Sequence, residues 1–305
     1  MHWLLLAVLL FILPIRNDLG VTELTATYAP SPSAFVTVKG MQVHYRVQGK
    51  GPVLVLLHGM ASSLHTWEGW VAVLEKEYTV VTLDLPGWGL TGPDPQKRYR
   101  TADQVDFLKA FTSQLGLTRF FLGGNSMGGN FAWNYALRYP ADVLGLILVD
   151  AAGAPPVKAQ QGGRPSYFSV VETPVLSGYF SKATPKAVFR SLLKQVYADD
   201  TKLTPALVDR YYTLMRREGN RQAFIDRAAQ RDGQTNRFAD LKTLELPVLI
   251  LWGAKDSWIP VSDAHRFLKQ LPHASLVVFE HLGHVPMEED PATTVQPVVH
   301  WLAKH

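Results

Sequence analysis

Six short apolar runs punctuate the chain, near residues 53–57, 79–84, 119–123, 144–149, 247–252 and 275–279. None has the alternation of a half-exposed strand. Each is too short for a buried helix, so each reads as a strand covered on both faces. Before them, 35–38 and 42–47 read as a hairpin around Lys39-Gly40. Helical patterns fill most of the gaps between the runs, which predicts a mostly parallel sheet flanked by helices. The stretch from 153 to 244 breaks this alternation. It carries only helical patterns, at 186–197, 205–218 and 221–230.

The N-terminus departs in another way. Residues 3–15 are apolar apart from Pro14, and Arg16 and Asn17 follow. Thirteen helical residues reach about 20 Å, short of a ~30 Å hydrocarbon core. The length suits the apolar region of a signal peptide, but no clean small-x-small cleavage site follows. The segment reads as an export signal or an uncleaved anchor, placing the protein in the cell envelope or outside the cell. Residues 17–34, with Pro30-Ser31-Pro32-Ser33, read as a linker.

Candidate chemistry gathers at the ends of the apolar runs. Gly124-Asn125-Ser126-Met127-Gly128 lies between the run at 119–123 and a helical stretch. A strand-to-helix corner pushes a serine hydroxyl out where a base and a substrate both reach it. The chain must then fold tightly, and glycines on both flanks remove the Cβ atoms that would clash. His58-Gly59-Met60 follows the run at 53–57, and Pro86-Gly87-Trp88-Gly89 follows the run at 79–84. Two acids lie past strand ends on the same sheet edge: Asp150, and Asp256 within Gly253-Ala254-Lys255-Asp256. Of ten histidines, only His281 and His284 fall in the loop after the last strand.

These motifs, with Trp252-Gly253-Ala254-Lys255-Asp256 and Gly283-His284-Val285-Pro286-Met287-Glu288-Glu289-Asp290-Pro291, resemble the α/β-hydrolase superfamily. Within it they resemble serine esterases and lipases, including bacterial membrane-associated lipases and monoacylglycerol lipases. The resemblance covers about 35–152 and 240–305. It implies an α/β-hydrolase fold with a core at 35–152 and 245–305 and a helical cap at 153–244. It also implies a catalytic triad in the order Ser126, Asp256, His284, preferred over Asp150 and His281. The backbone N–H groups of Met60 and Met127 would form the oxyanion hole, with His58 bracing the loop. The implied activity is ester hydrolysis through an acyl-enzyme, on acyl esters or monoacylglycerol-like lipids, with no metal or organic cofactor and no nucleic-acid partner.

Carbon–carbon bond hydrolases and acyltransferases share this triad and are the alternative. The chain lacks the Gly-Pro-Gly run of the carbon–carbon hydrolases after the oxyanion loop, having Met60-Ala61-Ser62-Ser63, and lacks a Trp after the histidine. A non-catalytic ligand-binding member is the reading from another class. The serine argues against epoxide hydrolases and haloalkane dehalogenases, which use aspartate at that position.

Composition adds two points. There are no cysteines, which excludes disulfides and cysteine-zinc sites. Residues 153–244 hold 15 Lys and Arg against 8 Asp and Glu, whereas the whole chain is only +4. That excess fits either a solvated helix surface or a face toward anionic lipid headgroups. Membrane association would run through residues 3–15. Tyr167, Phe168, Val175, Leu176, Tyr179 and Phe180 are expected to build the cap core or line an acyl pocket.

Overall fold

A computed structural model describes residues 16–156, 181–182, 184–230 and 237–305. The apolar segment 3–15 and the aromatic and apolar positions between 167 and 180 lie outside the described residues. Among the described residues, no helix is long and apolar enough to cross a membrane.

Eight strands form one sheet: β1 (Ser33–Val38), β2 (Met41–Gln48), β3 (Val53–Leu57), β4 (Thr79–Leu83), β5 (Phe120–Asn125), β6 (Val143–Val149), β7 (Val248–Gly253) and β8 (Ala274–Phe279). Their order is β1-β2-β4-β3-β5-β6-β7-β8. The pairs β1–β2 and β2–β4 are antiparallel, and every later pair is parallel. This is the mostly parallel sheet that the apolar runs predict.

The runs look unbroken because both faces are covered. Val55 and Leu57 of β3, Leu146 and Leu148 of β6, and Ile250 and Trp252 of β7 enter one core cluster. Their neighbours Leu54, Leu56, Ile147, Val149, Leu249 and Leu251 enter a second cluster on the opposite face. Period-two alternation thus sorts the side chains between two apolar layers rather than between core and water. Helices α2 (Glu68–Leu74) and α10 (Pro291–Leu302) supply Trp70, Val71, Val298 and Trp301 to the second layer. Helices α3 (Thr101–Gln114), α4 (Met127–Arg138) and α8 (Val261–Gln270) supply Phe111, Tyr135 and Phe267 to the first.

Between β6 and β7 stand α5 (Lys186–Val196), α6 (Pro205–Met215) and α7 (Asn220–Ala229), followed by a short 3-10 turn at Arg237–Thr243. After β8 comes the single-turn α9 (Pro286–Glu289).

The linker expected at 17–34 is not a linker. It contains helix α1 (Val21–Tyr28), whose Leu24 is buried against Leu90 and Leu214. Leu19 bridges to Arg217, and Asp18 pairs with the buried Arg221 guanidinium at 2.6 Å. Val21, Leu24, Thr25 and Tyr28 place one narrow stripe against the body. That stripe is too sparse to stand out beside the Pro-Ser repeat that follows it.

Candidate active site

Ser126 sits between the end of β5 and the first residue of α4. Its backbone has φ 52° and ψ −116°, a region that costs a non-glycine residue on the order of 1–3 kcal/mol. The surroundings hold it there. Its N–H donates to Val149 O at 3.0 Å, and its carbonyl accepts from Asn130 N at 3.0 Å and Ala152 N at 2.9 Å. A Cβ on Gly124 would lie 2.4 Å from the Gly128 carbonyl, and one on Gly128 would lie 2.3 Å from Leu57 O. The two glycines are therefore what lets α4 start against β3 and β5.

The loop after β3 is held by buried polar groups. His58 is fully buried; its Nδ1 lies 2.7 Å from Gly59 O, and its Nε2 accepts from Leu85 N at 3.0 Å. That acceptor role makes it neutral with the proton on Nδ1. Burial, outweighing the nearby Asp84 charge, lowers its pKa. It braces the loop, as the resemblance implies. Beyond it, Asp84 accepts from Leu64 N at 2.7 Å and Leu90 N at 2.8 Å and pairs with His44 Nδ1 at 2.7 Å. Burial alone would raise Asp84, but the His44 charge and hydrogen bond prevail and hold it far below the carboxylate range. Asp84 ties the loops at 58–64 and 86–92 together, a role its place at the end of the apolar run at 79–84 did not reveal. Trp88 packs on Phe224 and beneath the Arg227 guanidinium, in the core.

Among the described residues, the backbone N–H groups of Met60 and Met127 have no hydrogen-bond acceptor. One follows β3 and the other opens α4, next to Ser126. Two unpaired donors beside the buried corner hydroxyl of Ser126 are suited to a developing oxyanion, and the positive end of α4 adds to them.

His284 and Asp256 meet from different loops. His284 Nδ1 lies 2.6 Å from Asp256 Oδ2. A carboxylate only accepts, so Nδ1 carries a proton, and in the neutral imidazole it is Nε2 that holds the free lone pair. Asp256 Oδ1 accepts from Trp258 N at 2.7 Å and Ile259 N at 2.9 Å, which fixes the carboxylate plane. The histidine backbone is anchored as well: its N–H donates to Val196 O at 2.7 Å, and its carbonyl accepts from Asn125 Nδ2 at 3.0 Å. Asp150 does not bond the histidine; its Oδ1 accepts from Gly253 N at 3.0 Å. His281 is exposed in the preceding turn.

Ser126 and His284 line one cavity of about 60 Å³, together with Met60 and residues of α5, α6 and α7. Its described lining is apolar apart from Ser62, Asn125, Tyr211 and the Ser126 and His284 side chains, and it holds no Lys or Arg.

Two acids of this region were not found by sequence reasoning. Glu289 accepts from Gly283 N at 2.8 Å, Ala198 N at 3.0 Å and Asp199 N at 2.8 Å. Glu288 accepts from Tyr211 Oη at 2.5 Å, Thr66 Oγ1 at 3.0 Å and Arg210 Nη2 at 2.7 Å. Their one signal is adjacency to His284; a charged pair on a short helix otherwise reads as solvated surface.

A serine on a strand-to-helix corner, a histidine–aspartate pair in the same pocket and this strand order define a hydrolase class. A family model described as alpha/beta hydrolase fold matches residues 52–291, and the chain belongs to that family. The 2-hydroxy-6-oxononadienedioate/2-hydroxy-6-oxononatrienedioate hydrolase of Paraburkholderia phymatum is 28% identical over 253 residues, 80% of this chain and 85% of the relative. The solved structure of a bacterial membrane phospholipase A, described as a virulence factor, is 28% identical with a TM-score of 0.75, covering 99% of this chain and 98% of its own. A meta-cleavage product hydrolase from Pseudomonas fluorescens is 25% identical with a TM-score of 0.76, covering 89% and 97%.

Proposed function

We propose that this hydrolase cleaves carboxylic esters, of short- to medium-chain acyl groups or monoacylglycerol-like lipids, through an acyl-enzyme on Ser126. His284 Nε2 takes the serine proton, while Asp256 holds the imidazole in the correct tautomer and stabilises its cation. The N–H groups of Met60 and Met127 hold the oxyanion. His284 returns the proton to the leaving alcohol and then activates the water that releases the acid. Residues 153–244 act as a cap that shapes the acyl site, and the apolar segment 3–15 supports work at or beyond a membrane.

One observation carries the choice between esters and carbon–carbon bonds: the described lining of the cavity holds no Lys or Arg. The relative named for a nonadienedioate acts on a dicarboxylate. A lining that is apolar and, among the described residues, without a cation desolvates such an anion at high cost, whereas a neutral acyl chain enters favourably.

The test has two arms. A fluorophosphonate probe labels the wild type at Ser126 and leaves Ser126→Ala unlabelled. A panel of p-nitrophenyl and glyceryl esters of graded chain length is then compared with a 2-hydroxy-6-oxo-dienoate. Turnover of the dienoate with kcat/KM above that of every ester overturns the ester reading. A folded protein that neither the probe nor any ester modifies overturns the enzyme reading.

A further inference from the structure

Asp150 is a second buried carboxyl beside the histidine–aspartate pair, and the mechanism above gives it no task. It is the first residue after β6, at φ 44°. Non-glycine residues seldom occupy that left-handed region. Its backbone N–H donates to Leu251 O at 3.0 Å, and its side chain is fully buried. Oδ1 accepts from Gly253 N at 3.0 Å, but among the described residues no donor reaches the buried Oδ2. Ligating atoms of Asp150, Asp256 and His284 all lie within 4.8 Å of one another.

The two carboxyls are unequally supplied. Asp256 Oδ1 takes two N–H groups, and Oδ2 takes the His284 ring N–H. One lone-pair direction on Asp256 Oδ2 is left over. Two ionised carboxylates within 4.8 Å of each other and out of water repel strongly, and a shared site of this kind holds a proton on one of them. We propose that Asp150 is a neutral carboxylic acid whose proton is donated in a hydrogen bond to the Asp256 carboxylate, making Asp150 a positioning residue for the histidine–aspartate pair.

Burial first, and then the Asp256 charge, pushes the Asp150 carboxyl well above the usual range. The titratable groups that face it are Asp256 from the loop after β7, and His284 and Glu289 from the segment after β8. Its neutrality has a catalytic consequence. A second negative charge behind the imidazole would favour the imidazolium, which cannot accept the serine proton. A single carboxylate, held by a third donor, orients the ring without that cost.

The kinetic arm of the test rests on the ester reading, and the spectroscopic arm does not. In the infrared, wild type minus Asp150→Asn is expected to show the carbonyl stretch of a protonated carboxylic acid at neutral pH, shifting in deuterated water. A carboxylate pair of bands in its place overturns the proposal, whether or not any ester is hydrolysed. In kinetics, Asp150→Ala is expected to lower kcat about tenfold with KM unchanged, the worth of one hydrogen bond to a charged group. Asp150→Asn, whose amide donates to Asp256 and accepts from Gly253 N, is expected to recover most of that loss. The acid limb of its kcat/KM profile stays within about 0.3 pH units of wild type, because no charge has been removed. An acid limb displaced by about one unit or more in Asp150→Asn overturns the proposal. So does wild-type activity that a chelator abolishes and zinc restores, since a cation would then sit between the carboxylates.

Discussion

Asp256→Asn tests the roles assigned to the two acids. The substitution is nearly isosteric, so the fold persists and the effect is electronic. The amide has two orientations. If its oxygen faces His284, its NH2 faces the N–H groups of Trp258 and Ile259, which now donate to Asp256 Oδ1 at 2.7 and 2.9 Å. Two part-buried donors are then left unpaired, at up to about 1–3 kcal/mol each. The other orientation avoids this cost and prevails: the oxygen stays on Trp258 and Ile259, and the NH2 faces His284 Nδ1. That nitrogen must now accept, so the ring proton moves to Nε2, where the lone pair for the serine proton is required. The imidazolium of the transition state also loses its anion. The expected fall in kcat is on the order of 10⁴, the size known for this change in another Ser-His-Asp enzyme, with KM little altered. The assay is p-nitrophenyl ester hydrolysis at pH 8, with melting temperature as the folding control. An Asp256→Asn enzyme that keeps more than about a tenth of kcat refutes the tautomer argument. Asp150→Asn losing orders of magnitude in the same assay would hand the catalytic role to Asp150.

Two further outcomes concern the scaffold. His65 is buried, and burial outweighs the pull of Asp84 and Glu68, lowering its pKa from 6.5 to about 4. The folded state thus resists a proton that the unfolded chain accepts. Stability is complete above about pH 6.5 and falls by about 3 kcal/mol as pH drops toward 4; chemical denaturation across that window should show the fall, and His65→Gln should flatten it. An equal slope in His65→Gln would assign the acid sensitivity to other groups. Gly128→Ala places a Cβ 2.3 Å from a main-chain carbonyl of β3, so a loss of about 3 kcal/mol or more, or failure to accumulate soluble protein, is expected. A melting temperature within a degree of wild type would show that the corner has slack.

The strands were legible because both sheet faces are covered, so each strand declares itself as an unbroken apolar run. The Ser126 corner was legible for a related reason: its glycines answer a backbone approach that no other residue permits. The choice between Asp150 and Asp256 was not decidable from position, since both lie just past strand ends on one edge. Only the resemblance favoured Asp256, and the direction of its side chain toward His284 Nδ1 depends on the turn closed by Trp258 and Ile259. Helix α1 was missed because one buried leucine and a weak stripe carry it. The work of Asp84, Glu288 and Glu289 was hidden for the opposite reason. Their partners are backbone N–H groups and side chains from distant segments, and no local spacing encodes those meetings.

The backbone of His284 is tied to Val196, and Glu289 reads the N–H groups of Ala198 and Asp199 from the other side. His284, the base in the proposed mechanism, is therefore seated on the same stretch of chain whose Val196 lines the cavity. Exchanging 153–244 for the insert of a relative, as one would to graft a new chain-length preference, also exchanges the histidine's seat. A working graft has to keep residues 196–199 of the host or bring its own counterparts of the Val196 carbonyl and of the N–H groups that Glu289 holds. Selectivity in this scaffold is therefore more safely retuned by single positions on the inner faces of α5 and α6 than by transplanting the roof whole.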